Sequence, residues 1–211
     1  MENVKIFVEG EADIRFIKQY SKYILGEELK EGVVAKTGGW STITSPNQDG
    51  QAIRNAMKKN TDDGGINLII FDVDDDFSQR QAEITGWKTK YNLDFELFLF
   101  PNNSDKGALE ELLERIINLK NQPIFDCWAG YEKCISTKTI EGRSTPLTIP
   151  ARKTKIYGYL ETLLGSSNSE KAKIKEVNRN YLDASHWDLD SEYLNPLKVF
   201  LLKYLQEGMN V

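Results

Sequence analysis

The run Leu68-Ile69-Ile70-Phe71-Asp72-Val73-Asp74-Asp75-Asp76-Phe77 constrains this chain more than any other stretch. Leu68, Ile69, Ile70, Phe71 and Val73 fall within six consecutive positions, the pattern of a strand covered on both faces. Side chains alternate along a strand, so Asp72 and Asp74 are expected to project to one side at its carboxyl end. Carboxylates held that close raise one another's pKa unless a cation neutralises them. A hard, oxygen-seeking ion such as Mg²⁺ or Mn²⁺ suits Asp72, Asp74 and Asp76. The same aspartates also fit a solvated loop, or turn and N-cap positions ahead of the next helix.

The start of the chain repeats the arrangement. Lys5-Ile6-Phe7-Val8 reads as a first strand, Glu9-Gly10 as a turn, and Ile14, Phe16, Ile17, Tyr20 and Ile24 as the apolar face of a helix. Glu9 thus stands at a strand's carboxyl end, and Asp13 lies in the first helical turn, where the macrodipole favours negative charge. Ligands of open parallel sheets collect outside the carboxyl ends of the strands. If these two strands are neighbours, Glu9, Asp72 and Asp74 converge on one crevice.

Strand and helix patterns alternate over the first 120 residues. Strands are expected near 4–8, 33–36, 66–72 and 95–100, and helices near 11–25, 48–60, 78–90 and 107–119. Such alternation predicts an α/β fold, a mostly parallel four-stranded sheet flanked by helices. After Lys120 the pattern becomes helices and turns, near 124–135, 151–164, 170–178 and 194–205. The chain therefore reads as a core over 1–120 with a helical elaboration over 121–211 packed on it. Large apolar residues from Phe125 to Tyr204 predict that the two parts fold as one unit.

No apolar run approaches the length of a membrane span, and the nearly immediate first strand argues against a signal peptide. Cys127 and Cys134, seven apart on an expected helix, are read as buried structural thiols in a reducing compartment, the cytoplasm. The formal net charge is −5 and is unevenly distributed. Residues 1–120 carry 15 basic and 21 acidic side chains, whereas 121–211 carry 12 and 11. Basic residues concentrate over 132–179, including Lys153 and Lys155. A basic elaboration beside an acidic site suits a nucleic-acid partner held through phosphate. The same lysines fit a solvated helix face.

Val8-Glu9-Gly10 after one strand and Asp72-Val73-Asp74 after a later one resemble the toprim domain. This fold is shared by topoisomerases, bacterial primases, a ribosomal-RNA maturase and the OLD-family nucleases. Asp13, four residues after Glu9, resembles the OLD-like branch, as does the strand, polar loop and helix start of Phe98–Leu113 with its Gly107-Ala108-Leu109-Glu110. Phe77 departs from the pattern, standing where many members carry glycine. The resemblance implies Mg²⁺ (or Mn²⁺) held by Glu9, Asp72 and Asp74, with Asp13 as a further ligand, Glu110 as an outer one and Glu9 able to act as a general acid or base. It implies a metal-dependent nuclease acting on DNA or RNA. Topoisomerase and primase chemistry need further domains for which no residues are present. OLD-like domains often follow an ATPase; the chain has no Gly-X-X-X-X-Gly-Lys-Ser/Thr loop, so an ATPase would be a separate subunit.

Other residues carry two readings each. Asp105 is a helix cap or a second-metal ligand, and Glu110 with Glu111 suits a helix's first turn on dipole grounds alone. Lys36-Thr37-Gly38-Gly39 is a tight turn or a place where backbone N–H groups approach a phosphate. Lys153 is a surface lysine or a catalytic one stabilising charge on a scissile phosphate. Two alternatives stand beside the nuclease. One is a non-catalytic toprim-like subunit of a defence or regulatory complex. The other is a haloacid-dehalogenase-like phosphatase with Asp72 as nucleophile and Asp74 as acid, disfavoured because its motif normally lies on the first strand and carries Thr or Val where this chain has Asp76.

Overall fold

The computed structural model describes residues 4–207. Four strands, β1 (Val4–Val8), β2 (Val34–Lys36), β3 (Ile66–Asp72) and β4 (Glu96–Phe100), form an all-parallel sheet in the order β2-β1-β3-β4. Helix α1 (Glu11–Leu25) connects β1 to β2, α2 (Trp40–Thr44) and α3 (Gln48–Asp62) connect β2 to β3, and α4 (Phe77–Tyr91) connects β3 to β4. After the sheet come α5 (Leu109–Arg115), α6 (Gln122–Ser136), α7 (Arg152–Leu164), α8 (Asn168–Ile174) and α9 (Asn195–Glu207). Among the described residues no helix is long and apolar enough to cross a membrane.

Strand alternation sorts the core into two layers. Val4, Ile6, Val8, Leu68, Ile70, Phe98 and Phe100 face α1, with Phe16, Ile17 and Tyr20, and the C-terminal helices. Phe7, Ile69, Phe71 and Leu99 face the other way, onto Ile43 of α2, Met57 of α3, and Ile84 and Trp87 of α4. Both faces are covered, which is why β3 reads as an unbroken apolar run rather than an alternating one. The strand order makes the chain step outward to β2 on one side and to β4 on the other. The reversal falls between β1 and β3, the switch point at which open α/β sheets leave a crevice.

The C-terminal helices complete the first layer. Phe125, Ile156, Tyr159, Leu160, Trp187, Leu194, Leu197, Leu201 and Leu205 join one apolar cluster with β1, β3, β4 and α1. One core is thus built from residues on both sides of position 120.

The structure differs from the sequence-based expectation in several elements. The helix expected over 107–119 is only Leu109–Arg115; Asn118 then accepts from the Lys120 amide to start a 3₁₀ turn over Leu119–Asn121. Pro123 opens α6 instead of only breaking what precedes it, since its missing N–H is harmless in a first turn. Cys127 and Cys134 are exposed, not buried. α6 buries only Phe125 fully, so two thiols seven residues apart share its outer stripe.

Candidate metal centre

Glu9 leaves the end of β1 and bridges the switch point. One carboxylate oxygen accepts the Asp72 amide at 3.0 Å and the other accepts the Trp40 amide at 3.2 Å. The loop after β2 is closed on the same residue: the Gly38 and Gly39 amides donate to the Glu9 carbonyl at 3.0 and 3.2 Å. Those amides are therefore committed to a tight turn, made possible by positive φ at both glycines (77° and 103°), and are not turned toward a ligand. Lys36 pairs with Glu11.

Asp72, the last residue of β3, has the parity of Leu68 and Ile70, which face α1 and α5. Its Oδ1 accepts the Leu109 amide of α5 at 3.1 Å. Asp13 is buried, and its Oδ2 accepts the Gly10 amide at 2.8 Å to cap α1. Glu110 completes the group from α5. Burial raises Asp72 to about 9, reinforced by the charges of Asp13, Glu9 and Glu110. Burial likewise raises Asp13 to about 7, with Glu9, Glu110 and Glu176 adding to it. Glu9 and Glu110 are also raised, first by burial; amides of Asp72 and Trp40 partly offset this at Glu9. Four carboxyls from β1, α1, β3 and α5 thus share one field that the protein's own cations offset little. Lys153 acts on Glu110, and Arg80 on Glu9, only as lesser influences.

Asp74 lies elsewhere. Strict alternation would set it beside Asp72, but the strand stops at Asp72. The Val73 and Asp74 amides both donate to the Gly107 carbonyl at 3.0 Å, and Asp74 takes φ 62°. This left-handed conformation turns its carboxylate to the opposite layer, where it pairs with Arg80 of α4. The expected side-by-side projection of Asp72 and Asp74 is corrected accordingly, although Asp74 still raises Glu9 electrostatically. Gly107 itself sits at φ 132°, and a Cβ there would lie 2.6 Å from Cγ of Glu111.

The remaining candidates have partners of their own. Asp76 is exposed and caps α4 by accepting the Gln79 amide at 2.9 Å, the role its place before a helix allows. Asp105 caps no helix: it accepts from Asn102 and from the Tyr193 hydroxyl, while Ala108 is the N-cap of α5. Lys153 pairs with Glu176 at 2.6 Å, close enough to Glu110 to be felt there. Lys155 pairs with Glu114 at 3.1 Å, and Arg152 with Glu111 at 2.6 Å. Much of the basic excess over 132–179 is therefore matched by acids of the same chain. Arg80, Trp40 and Glu176 were not legible as site residues. Nothing in their local sequence marks them, and they arrive from α4 in the opposite layer, the start of the short α2 and a 3₁₀ turn.

Next to the carboxyls lies a cleft of about 710 Å³ lined by Trp40, Asp74, Asp75, Asp76, Arg80 and Glu111, among others. Among the described residues no three His, Cys, Asp or Glu side chains are already gathered as a metal site. The donor chemistry nonetheless suits a hard divalent ion, since every candidate ligand is a carboxylate oxygen.

A family model described as a protein of unknown function, DUF3226, matches residues 3–206. The chain belongs to the DUF3226 family. The DUF3226 match takes in the carboxyl cluster and the C-terminal helices alike, in keeping with their shared core. None of the curated proteins and none of the solved structures matches the chain.

Proposed function

We propose that this DUF3226 protein is a divalent-metal-dependent phosphodiester-cleaving enzyme of the toprim kind, nearest the OLD-like nucleases, acting on DNA or RNA. The observation that carries the reading is the carboxyl cluster at the β1/β3 switch point. Burial raises the pKa values of Glu9, Asp13, Asp72 and Glu110, and repulsion from neighbouring acids adds to each. Such a cluster is unfavourable without a cation and favourable with one.

Glu9 and Asp72 would hold Mg²⁺ or Mn²⁺, with Asp13 and Glu110 around them and Asp74 near the outer edge. When bound, the ion supplies an activated water at neutral pH and balances charge on the scissile phosphate. Glu9 is fixed by two backbone amides, so its oxygens keep their direction as charge changes in the crevice. Asp13 and Asp72 release protons as a cation enters, which makes affinity rise with pH. Lys153, paired with Glu176 beside Glu110, is placed to meet a phosphate oxygen only after that pair opens.

A second reading is a metal- or nucleic-acid-binding subunit without catalysis, working beside a separate ATPase. The pairing of Arg152, Lys153 and Lys155 with acids of the same chain favours its metal-binding form over a nucleic-acid-binding one, because part of their charge is already matched. Asp72 as a phosphatase nucleophile is disfavoured, since Asp74, its expected acid, is turned away and paired with Arg80. The test is a Mg²⁺/Mn²⁺ panel on supercoiled DNA, single-stranded DNA and structured RNA with wild type and Asp72→Asn. Cleavage lost in the variant supports the nuclease. Metal-dependent binding with no cleavage supports the subunit. Mn²⁺ affinity unchanged by Asp72→Asn removes the metal centre.

A further inference from the structure

The cleft beside the carboxyl cluster is strongly acidic, with Asp74, Asp75, Asp76 and Glu83 on its wall. Arg80 is its one basic lining residue among those described. The guanidinium carbon lies over the Trp40 ring, 4.4 Å from its centroid, and Trp40 is in turn stacked on Trp87 at 9° between planes. Only 11% of the Arg80 side chain is exposed, yet it lines open space. Planar, weakly hydrated and held against an aromatic face, it is suited to bidentate recognition of a phosphate. It pairs with Glu83 at 3.4 Å and, more closely, with Asp74, the residue turned away from Asp72 by a left-handed backbone. A return to the extended form relieves that backbone and costs the Asp74 amide its bond to the Gly107 carbonyl.

We infer that Arg80 positions the phosphate of the substrate, and that Asp74 holds its place until substrate arrives. The inference rests on the proposed metal-dependent function and adds the contact by which phosphate is recognised. A phosphate oxygen displaces the Asp74 carboxylate from Arg80. Asp74, released, swings toward Glu9 and Asp72 and adds an oxygen to the metal's surroundings. Cation and phosphate then favour each other's binding, since each removes an obstacle to the other. Trp40 ties this exchange to Glu9, whose carboxylate accepts the Trp40 amide.

Calorimetric Mn²⁺ titrations of wild type, Arg80→Gln, Asp74→Asn, the double variant and Asp72→Asn test the exchange. Freeing Asp74 by Arg80→Gln is expected to tighten Mn²⁺ roughly fivefold or more, and the gain is expected to vanish when Asp74 is already asparagine. Inorganic phosphate added with saturating Mg²⁺ is expected to raise the Tm of wild type and not of Arg80→Gln. Equal tightening in both Asp74 backgrounds would make Arg80 a merely nearby charge and overturn the inference, as would a phosphate shift that survives Arg80→Gln. Arg80→Lys covers the case in which the glutamine variant does not fold: charge without the planar fork is expected to weaken the phosphate shift, and full retention overturns the role. If Asp72→Asn binds Mn²⁺ like wild type, the metal reading falls and this inference with it. If Asp72→Asn abolishes binding while the Arg80 variants behave as wild type, only the inference falls.

Discussion

Substituting Asp72→Asn keeps an oxygen for the Leu109 amide and removes the charge from the centre of the carboxyl cluster. In the unfolded chain Asp72 ionises near 3.8, whereas in the folded protein it holds its proton to about 9. Between those values folding takes up a proton. The group's stabilising contribution is therefore complete below pH 3.8, declines as pH rises, and is lost by about pH 9. At 1.36 kcal/mol per pH unit, the penalty at pH 8 is ~6 kcal/mol for a fully buried, isolated group. Asp72 is only partly buried and shares its field with three other carboxyls, so about half, ~3 kcal/mol, is expected. In EDTA the asparagine variant should exceed wild type by ~2–3 kcal/mol at pH 8 and by less than ~0.5 at pH 4. The pH 8 difference corresponds to roughly 4–12 °C in Tm for a chain of this size. Urea and thermal unfolding of both proteins across that range measure it. A stability difference that is flat in pH, or a wild type that is the more stable at pH 8, refutes the argument from buried charge. Saturating Mg²⁺ should close the gap by stabilising wild type alone.

Gly107→Ala places a Cβ against Glu111 at φ 132° and disturbs the carbonyl that holds Val73 and Asp74. A loss of about 2–3 kcal/mol is expected in urea unfolding, and wild-type stability would show that the turn adapts. Trp187→Ala, at a side chain 1% exposed that packs on Tyr159 and Tyr181, should lose about 3–5 kcal/mol while unfolding remains a single transition by near- and far-UV circular dichroism. Two separated transitions would mean that the C-terminal helices fold apart from the sheet. Lys155→Met leaves the largely buried Glu114 with only the longer Arg152 contact and should lose about 1–3 kcal/mol, whereas Lys153→Ala on the exposed face should change stability by less than about 0.5. The reverse order in urea unfolding would mean that burial of these pairs does not set their worth.

The sheet was legible because β1 and β3 are short apolar runs ended by polar residues, and their expected limits, 4–8 and 66–72, are the observed ones. Glu9 and Asp72 were legible for the same reason, as the first charged residues past those runs. Asp74 was misplaced because a rule of alternation holds only while the strand lasts. Gly107, 33 residues later, ends it by taking both following amides, and no local signal announces that. The exposed cysteines show a similar limit. Their spacing puts them on one helical face, but which face meets the core depends on Tyr159 and Trp187, far along the chain. The short α2 was hidden in a Gly-Gly-Trp-Ser turn, and its Trp40 matters only because Arg80 and Trp87 lie against it.

The shared core also bears on the order of events during synthesis. All four strands have been made once Phe100 leaves the ribosome, and α2, α3 and α4 can then close over Phe7, Ile69 and Leu99. The opposite face waits. Phe98 meets Phe200 of α9 only after another hundred or so residues have emerged. For about half of its translation the nascent chain therefore carries one covered side and one covered only in part, by α1, a half-sheltered state in which chaperone capture or sticking to a neighbouring polysome competes with completion.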